Sequence, residues 1–287
     1  MSDEKILPKP LNLEPIRSMI QKRPVFSEKT MLANYHTHTA RCGHAVGTDR
    51  AYVETAIARG LHTLGFSDHV PMPFSDGHES RFRVPLRLLD DYVMSVLSLK
   101  REYANEIEIR LGFEAEYYPD LFPAMLDLLK PYPVDYLLLA QHFVDSSERV
   151  YNTNPQADET SLVWYVDRCL AGMRTGAFSC LAHPDLFHFT GKPAVYRREM
   201  TRLCAGAKEL GIPLEINLLG LREHKNYPCA AFWKIAGALQ CPTVLGCDAH
   251  TPENLADLKN LRKAEAFAKR YGIVPLPDIS LRNPFRA

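Results

Sequence analysis

The sequence of 287 residues is the size of a single α/β barrel and long enough to bury a large core, so length alone requires no second domain. Lys+Arg and Asp+Glu stand at 34 each, and this neutral balance, with no basic run, removes the electrostatic ground for a nucleic-acid track. No apolar stretch approaches the ~20 residues needed to cross a bilayer; the first residues lack an apolar signal core, so the cytoplasm is the expected compartment.

Residues 1–30 carry four prolines and no sustained apolar period, and read as an extension ahead of a barrel domain over 31–287. From Ala33 onward short apolar runs alternate with helically periodic segments. The runs predict strands near 33–38, 62–67, 107–115, 135–142, 178–183, 213–218 and 242–247. Helices are expected between them, among them Asp49–Arg59, Leu86–Tyr103, Ser161–Arg174, Arg197–Leu210, Ala230–Leu239 and Asn254–Lys269. Seven βα units in succession imply parallel strands joined by crossover helices. That alternation fits an open doubly wound sheet and a closed barrel equally.

The polar residues separate the two. Seven predicted strands end in or run into His36/His38, Asp68/His69, Glu114/Glu116, His142, His183, Asn217 and Asp248/His250. A ring of such residues belongs to a barrel, whose chemistry lies at the C-terminal ends of all strands, whereas an open sheet concentrates it at one switch point. The expected fold is therefore a distorted (β/α)7 barrel with a metal cluster at that rim. His36 and His38 lie two apart on a strand and face one side, and His44 follows six residues later. Imidazole suits zinc, iron and manganese, an interspersed carboxylate bridges two ions, and so many ligands exceed one tetrahedral site. The seven cysteines, odd in number and without CxxC spacing, fit neither a disulfide framework nor a zinc knuckle and read as reduced thiols. Cys42 and Cys247, although inside the metal-type segments, read as packing residues.

In order along the chain stand HTHTARCGHA, GFSDH, GFEAE, QH, AHPD and GCDAH. Over roughly 33–275 this series resembles the polymerase and histidinol phosphatase (PHP) superfamily. The resemblance implies that His36, His38, His44, His69, Glu114, His142, His183, Asp248 and His250 are metal ligands. It further implies three ions: one shared by His36, His38, Glu114 and Asp248, a second held by Glu114, His142 and His183, and a third by His44, His69 and His250. Glu114 and Asp248 thereby count also as catalytic. Such a cluster of zinc, manganese or iron, two or three ions in all, polarises phosphoryl oxygens and makes hydroxide available near neutral pH, so no serine or cysteine nucleophile is required.

Within the superfamily the sequence is most similar to the histidinol-phosphate phosphatases, on the segment Leu214-Glu215-Ile216-Asn217-Leu218-Leu219-Gly220-Leu221-Arg222 followed by Tyr227-Pro228. That likeness implies a loop aiming Arg222 at the substrate phosphate, where a guanidinium binds oxygens bidentately. The expected activity is hydrolysis of L-histidinol phosphate to L-histidinol and phosphate, a step of histidine biosynthesis. The alternative is a phosphoesterase of the same superfamily acting on a nucleotide or nucleoside bisphosphate; a nuclease or proofreading module and a non-catalytic metal-binding protein rank lower. Arg81, Arg83 and Arg197 are further candidate phosphate contacts, and Glu116 is a candidate to orient a ligand or meet a substrate amine. The long segment Pro71–Arg83, with Asp76, His78 and Glu79, is expected to overhang the rim. His62, His188 and His224 match no motif and read as structural or surface residues.

Overall fold

A computed structural model describes residues 31–74, 77–78 and 80–286. The expected extension over 1–30, and Asp76 and Glu79 of the loop, lie outside the described residues. Seven strands form one sheet in sequence order: β1 Ala33–Asn34, β2 Thr63–Phe66, β3 Glu108–Ala115, β4 Tyr136–Leu139, β5 Cys180–Leu181, β6 Leu214–Asn217 and β7 Thr243–Gly246. Every neighbouring pair is parallel.

Closure between β7 and β1 is made by loops. At the rim Thr37 bridges Ala249, with His38 N donating to Ala249 O at 2.9 Å and Ala249 N to His36 O at 3.2 Å. At the base the C-terminal segment inserts between the two strands. Leu276 N donates to Thr243 O at 2.7 Å, while Leu32 N and Ala33 N donate to Pro277 O at 3.2 Å. This substitute for an eighth strand accounts for the distortion of the barrel.

The helices are α1 Asp49–Arg59, α2 Leu89–Glu102, α3 Phe122–Leu129, α4 Glu159–Arg174, α5 Pro193–Glu209, α6 Leu218–Arg222, α7 Ala230–Ala238 and α8 Leu258–Arg270. Local chemistry sets their ends. Thr48 caps α1 by accepting from Ala51 N, and Gly60 closes it at φ 83, where a side chain would be strained. In α2 the buried Leu89, Tyr92, Val93, Val96 and Leu99 make one stripe facing the sheet. Pro193 opens α5 four residues ahead of the expected start, because its fixed φ suits the first turn. The proline-flanked segment that folds as α3 was not among the expected helices. None of the helices among the described residues is long and apolar enough to cross a membrane.

Alternation along the strands sorts side chains into two layers. Ile109, Leu111, Phe113 and Ala115 of β3, Leu137 and Leu139 of β4, and Leu214 and Ile216 of β6 join the large core between strands and helices. Tyr136, Leu138 and Cys180 form a smaller cluster. Tyr136 lies where the Cβ atoms of Gly65 and Gly112 would stand, at 2.3 Å from its Oη and 2.4 Å from its Cε1 respectively. Its hydroxyl donates to Tyr35 O at 2.7 Å and Phe66 O at 3.1 Å, satisfying the buried polar end. The residues that alternate with the outer layer, Glu114, Glu215 and Asn217, are left for chemistry.

Candidate metal centre

The strands end just before the candidate ligands, so each ligand sits on the first residues of a βα connection. His36 and His38 follow β1, His69 follows β2, His142 follows β4, His183 follows β5, and Asp248 and His250 follow β7, while Glu114 is within β3. Two of these backbones are in the left-handed region, His183 at φ 28 and Asp248 at φ 46. Such conformations are costly for residues with a Cβ and persist where surrounding contacts enforce them.

Glu114, 1% exposed, is the hub. Its Oε1 lies 2.9 Å from His183 Nε2, 3.3 Å from His36 Nε2 and 3.3 Å from His142 Nε2. Its Oε2 lies 3.1 Å from His69 Nδ1 and 3.5 Å from His38 Nε2. Asp248 Oδ1 is 3.2 Å from His38 Nε2, 3.5 Å from His36 Nε2 and 3.4 Å from His250 Nδ1. Donor atoms within 4.8 Å of one another form the groups His36–His38–Glu114, His69–Glu114–His142, His36–His183–Asp248 and His38–His69–His250. Eight of the nine expected ligands fall in these groups. His44 stands exposed at the edge, its ring 4.9 Å from that of His250 and 5.3 Å from that of His69. The group His36–His38–Glu114 lies within the first expected set, and His142 and His183 both approach Glu114 as in the second, while the remaining groups overlap these sets through His36, His38 and His69.

The donor chemistry fits cations. His36 Nε2, His38 Nε2, His69 Nδ1, Glu114 Oε2 and Asp248 Oδ1 are buried without a hydrogen-bond partner, a condition that buried polar atoms avoid unless an ion or water completes them. Several of the rings are pre-set from behind. His36 Nδ1 donates to Glu215 at 2.8 Å and His142 Nδ1 to Glu116 at 2.7 Å, while His44 Nδ1 is 3.1 Å from Cys42 O and His250 Nδ1 3.2 Å from Asp248 O. A proton on Nδ1 leaves the Nε2 lone pair for a metal. Asp68 holds the start of this rim: it accepts from His69 N at 2.9 Å and Thr39 N at 3.1 Å, and lies 3.4 Å from His38 Nδ1.

Burial opposes charge throughout the cluster, and opposite charges reverse it for some groups. Burial pushes the Glu114 carboxyl up, but His142, His36 and His69 outweigh it and hold it well below the usual range. Asp248 is held down in the same way by His36 and His38 against burial. Burial lowers the His142 pKa, yet Glu114 and Glu116 raise it to about 9. His250, desolvated and facing His38, falls to about 3. The pattern is a nest of carboxylates compensated by imidazoles, where divalent cations would take the place of protons.

Arg222 sits on α6, so the expected loop is a short helix, capped by Asn217, whose side chain accepts from Gly220 N at 3.1 Å. The guanidinium meets the chain just beyond β7: Nη2 donates to Asp248 O at 3.1 Å, and Nη1, buried without a hydrogen-bond partner, is 3.8 Å from Asp257 Oδ2. Arg81 is exposed and Arg197 lies on α5 beside a separate cavity of about 990 Å³. Cys42 and Cys247 are both buried; the Cys42 thiol donates to Thr39 O at 3.1 Å, and it also forms a donor group with His38 and Asp68. His62, His188 and His224 join none of the donor groups.

Glu215 escaped notice in the sequence. It accepts from His36 Nδ1 and, at 3.1 Å, from His183 N, so one carboxylate orients two ligands; Asn217 Nδ2 ties it to Asp248 with bonds of 3.0 Å to each. The available signal was an acidic residue in an apolar strand, two before Asn217 and therefore on its side.

Residues 34–218 match the PHP domain family. A probable histidinol-phosphatase of Deinococcus radiodurans is 30% identical over 240 residues, covering 78% of this chain and 88% of the relative. Histidinol-phosphatase of Bacillus subtilis is 28% identical over 251 residues, covering 75% and 92%. The crystal structure of histidinol phosphate phosphatase from Lactococcus lactis, complexed with zinc, L-histidinol and phosphate, superposes with a TM-score of 0.66 at 21% identity, over 86% of this chain and 98% of that one, which establishes the shared fold. Motif order, barrel and sequence relationship agree, and the chain belongs to the PHP domain family.

Proposed function

We propose that this protein is a metal-dependent phosphomonoesterase whose substrate is L-histidinol phosphate. The observation that carries the reading is the set of unpartnered, buried imidazole nitrogens and carboxylate oxygens gathered at the C-terminal rim around Glu114 and Asp248. The substrate assignment is supported by the histidinol-phosphatases of Deinococcus radiodurans and Bacillus subtilis, which align over most of the barrel.

His36, His38, His44, His69, Glu114, His142, His183, Asp248 and His250 would hold two or three divalent ions, with zinc, manganese and iron all matched by an imidazole-rich donor set. Bound there, the ions supply Lewis acidity toward the phosphoryl oxygens and lower the pKa of water. The protein's own part is positional. Glu114 supplies negative charge to both sides of the cluster, and Glu215, Glu116 and Asp68 hold the imidazoles in the tautomer and direction that binding needs. Arg222, beside Asp248, would add a fixed positive charge for the phosphate. Phosphate release measured across L-histidinol phosphate, nucleotides and sugar phosphates, with manganese or zinc and with chelator, tests the reading. Metal-dependent release greatest on L-histidinol phosphate is expected. Preference for a nucleotide would move the substrate assignment, and release unaffected by chelation would end the metal reading.

A further inference from the structure

Arg83 closes the long segment after β2 and is 2% exposed. It is wedged between two carboxylates: Nη1 lies 2.6 Å from Glu116 Oε2, and Nε donates to Glu148 Oε1 at 2.6 Å. Through its other oxygen Glu116 accepts from His142 Nδ1 at 2.7 Å, and His142 Nε2 faces Glu114 Oε1 at 3.3 Å. An unbroken polar chain therefore runs from the connection between β4 and α4, through Arg83, to the hub of the metal centre. Nη1 also donates to Val70 O at 3.5 Å, while Nη2 is enclosed by protein without a partner, so Nε and Nη1 are both spent on groups of this segment and its neighbours.

The geometry ties the arginine to the chain: its guanidinium is held between the side chains of Glu116 and Glu148, all three almost wholly buried, and the other oxygen of Glu116 meets the Nδ1 side of His142. Two further contacts fix the same corner. Val84 N donates to His69 O at 3.1 Å, and the Phe82 ring lies 4.0 Å from that of His69 and 5.0 Å from that of His142. The residues on either side of Arg83 thus pack on the ligands that it steadies.

We propose that Arg83 is a positioning residue of the metal centre: it bridges Glu116 and Glu148, and through Glu116 keeps His142 turned with Nε2 toward Glu114. This rests on the metal-centre reading above and adds to it a residue distant from the ions. The planar guanidinium reaches two carboxylates at once, which a single ammonium cannot reproduce.

The test is zinc affinity of the metal-stripped full chain, by competition with a chromophoric chelator, for wild type, Arg83→Gln, Arg83→Lys, Glu116→Gln and the double variant Arg83→Gln/Glu116→Gln. Losses of roughly 10- to 100-fold are expected for Arg83→Gln and Glu116→Gln, the range for outer partners of metal ligands. Lysine should restore part of the loss. The double variant should bind zinc little worse than Glu116→Gln, because the arginine acts through that carboxylate. Wild-type affinity in Arg83→Gln overturns the assignment, as does a loss that persists in full in the Glu116→Gln background. Should Arg83→Gln not fold, Arg83→Lys decides: weakened zinc binding that is not additive with Glu116→Gln supports the assignment, and wild-type affinity overturns it. A wild-type chain that binds no zinc, manganese or iron would instead overturn the metal centre itself.

Discussion

Glu114 accepts the approach of five histidines, His36, His38, His69, His142 and His183, through its two oxygens. Its negative charge is balanced by imidazoles whose affinity for protons it raises against burial, His142 to a pKa of about 9, and bound cations would take the place of those protons. Glu114→Gln should therefore abolish turnover and lower metal content while leaving the barrel folded, because an amide neither neutralises nor bridges two ions. Metal analysis and phosphate release on the same preparation check this, and retention of more than about a tenth of the wild-type rate would remove Glu114 from the bridging role. Arg222 tests the other half of the site. Arg222→Ala should lower kcat/KM on L-histidinol phosphate by about 10- to 150-fold, the equivalent of losing about 1.5–3 kcal/mol of charge-assisted bonding, and Arg222→Lys should recover only part. Its bond to Asp248 O offers a different role, holding the ligand's backbone. In that case metal content falls together with activity.

At the level of the elements, β6 and β7 are the pair whose register matters most. Asn217 pairs with Gly246, and a Cβ at 246 would stand 1.7 Å from Glu215 Oε1. Glycine there is thus the space in which Glu215 reaches His36 and His183. Gly246→Ala should push Glu215 from that position, weakening metal affinity by roughly tenfold and stability by about 1–3 kcal/mol. Metal titration and thermal melting read the two effects separately; unchanged affinity would show that Glu215 is not needed to orient the ligands. α6 carries a related lesson. Asn217 caps the turn as the strand ends, and the five residues that follow as helix bring Arg222 to Asp248 O.

Across the whole molecule, six or more elements contribute to one centre, so metal binding and folding are linked. An ion that binds only the native chain at about 100 times its Kd adds about 2.7 kcal/mol, which for a chain of 287 residues raises Tm by roughly 4–5 °C. Chelation should lower Tm by that amount and restored zinc or manganese should return it. Calorimetry showing the same Tm in both states would mean that the ligands form no stable ion site. The direction follows from the carboxylates: Glu114 and Asp248 are buried and held as anions, so removing cations leaves charge in the core.

Much of this was legible along the chain for physical reasons. Buried parallel strands need continuous apolar runs, and a barrel gathers its chemistry at the strand ends, so the seven runs and the polar residues closing them announced fold and rim together. Imidazole and carboxylate are common ligands of zinc, manganese and iron, which made the nine candidates visible by type, and eight of them converge in three dimensions. What sequence could not express were contacts between distant segments. The base of the barrel is closed by residues 276–277 lying between β7 and β1, a pairing with no local pattern. Glu215 carried no role in the sequence and Arg83 read only as a candidate phosphate contact, until the fold set one against His36 and the other between Glu116 and Glu148. Side-chain type and spacing announce the candidate ligands because metal coordination restricts which residues can serve; the groups that orient those candidates are fixed only by which strands and loops the closed barrel makes neighbours.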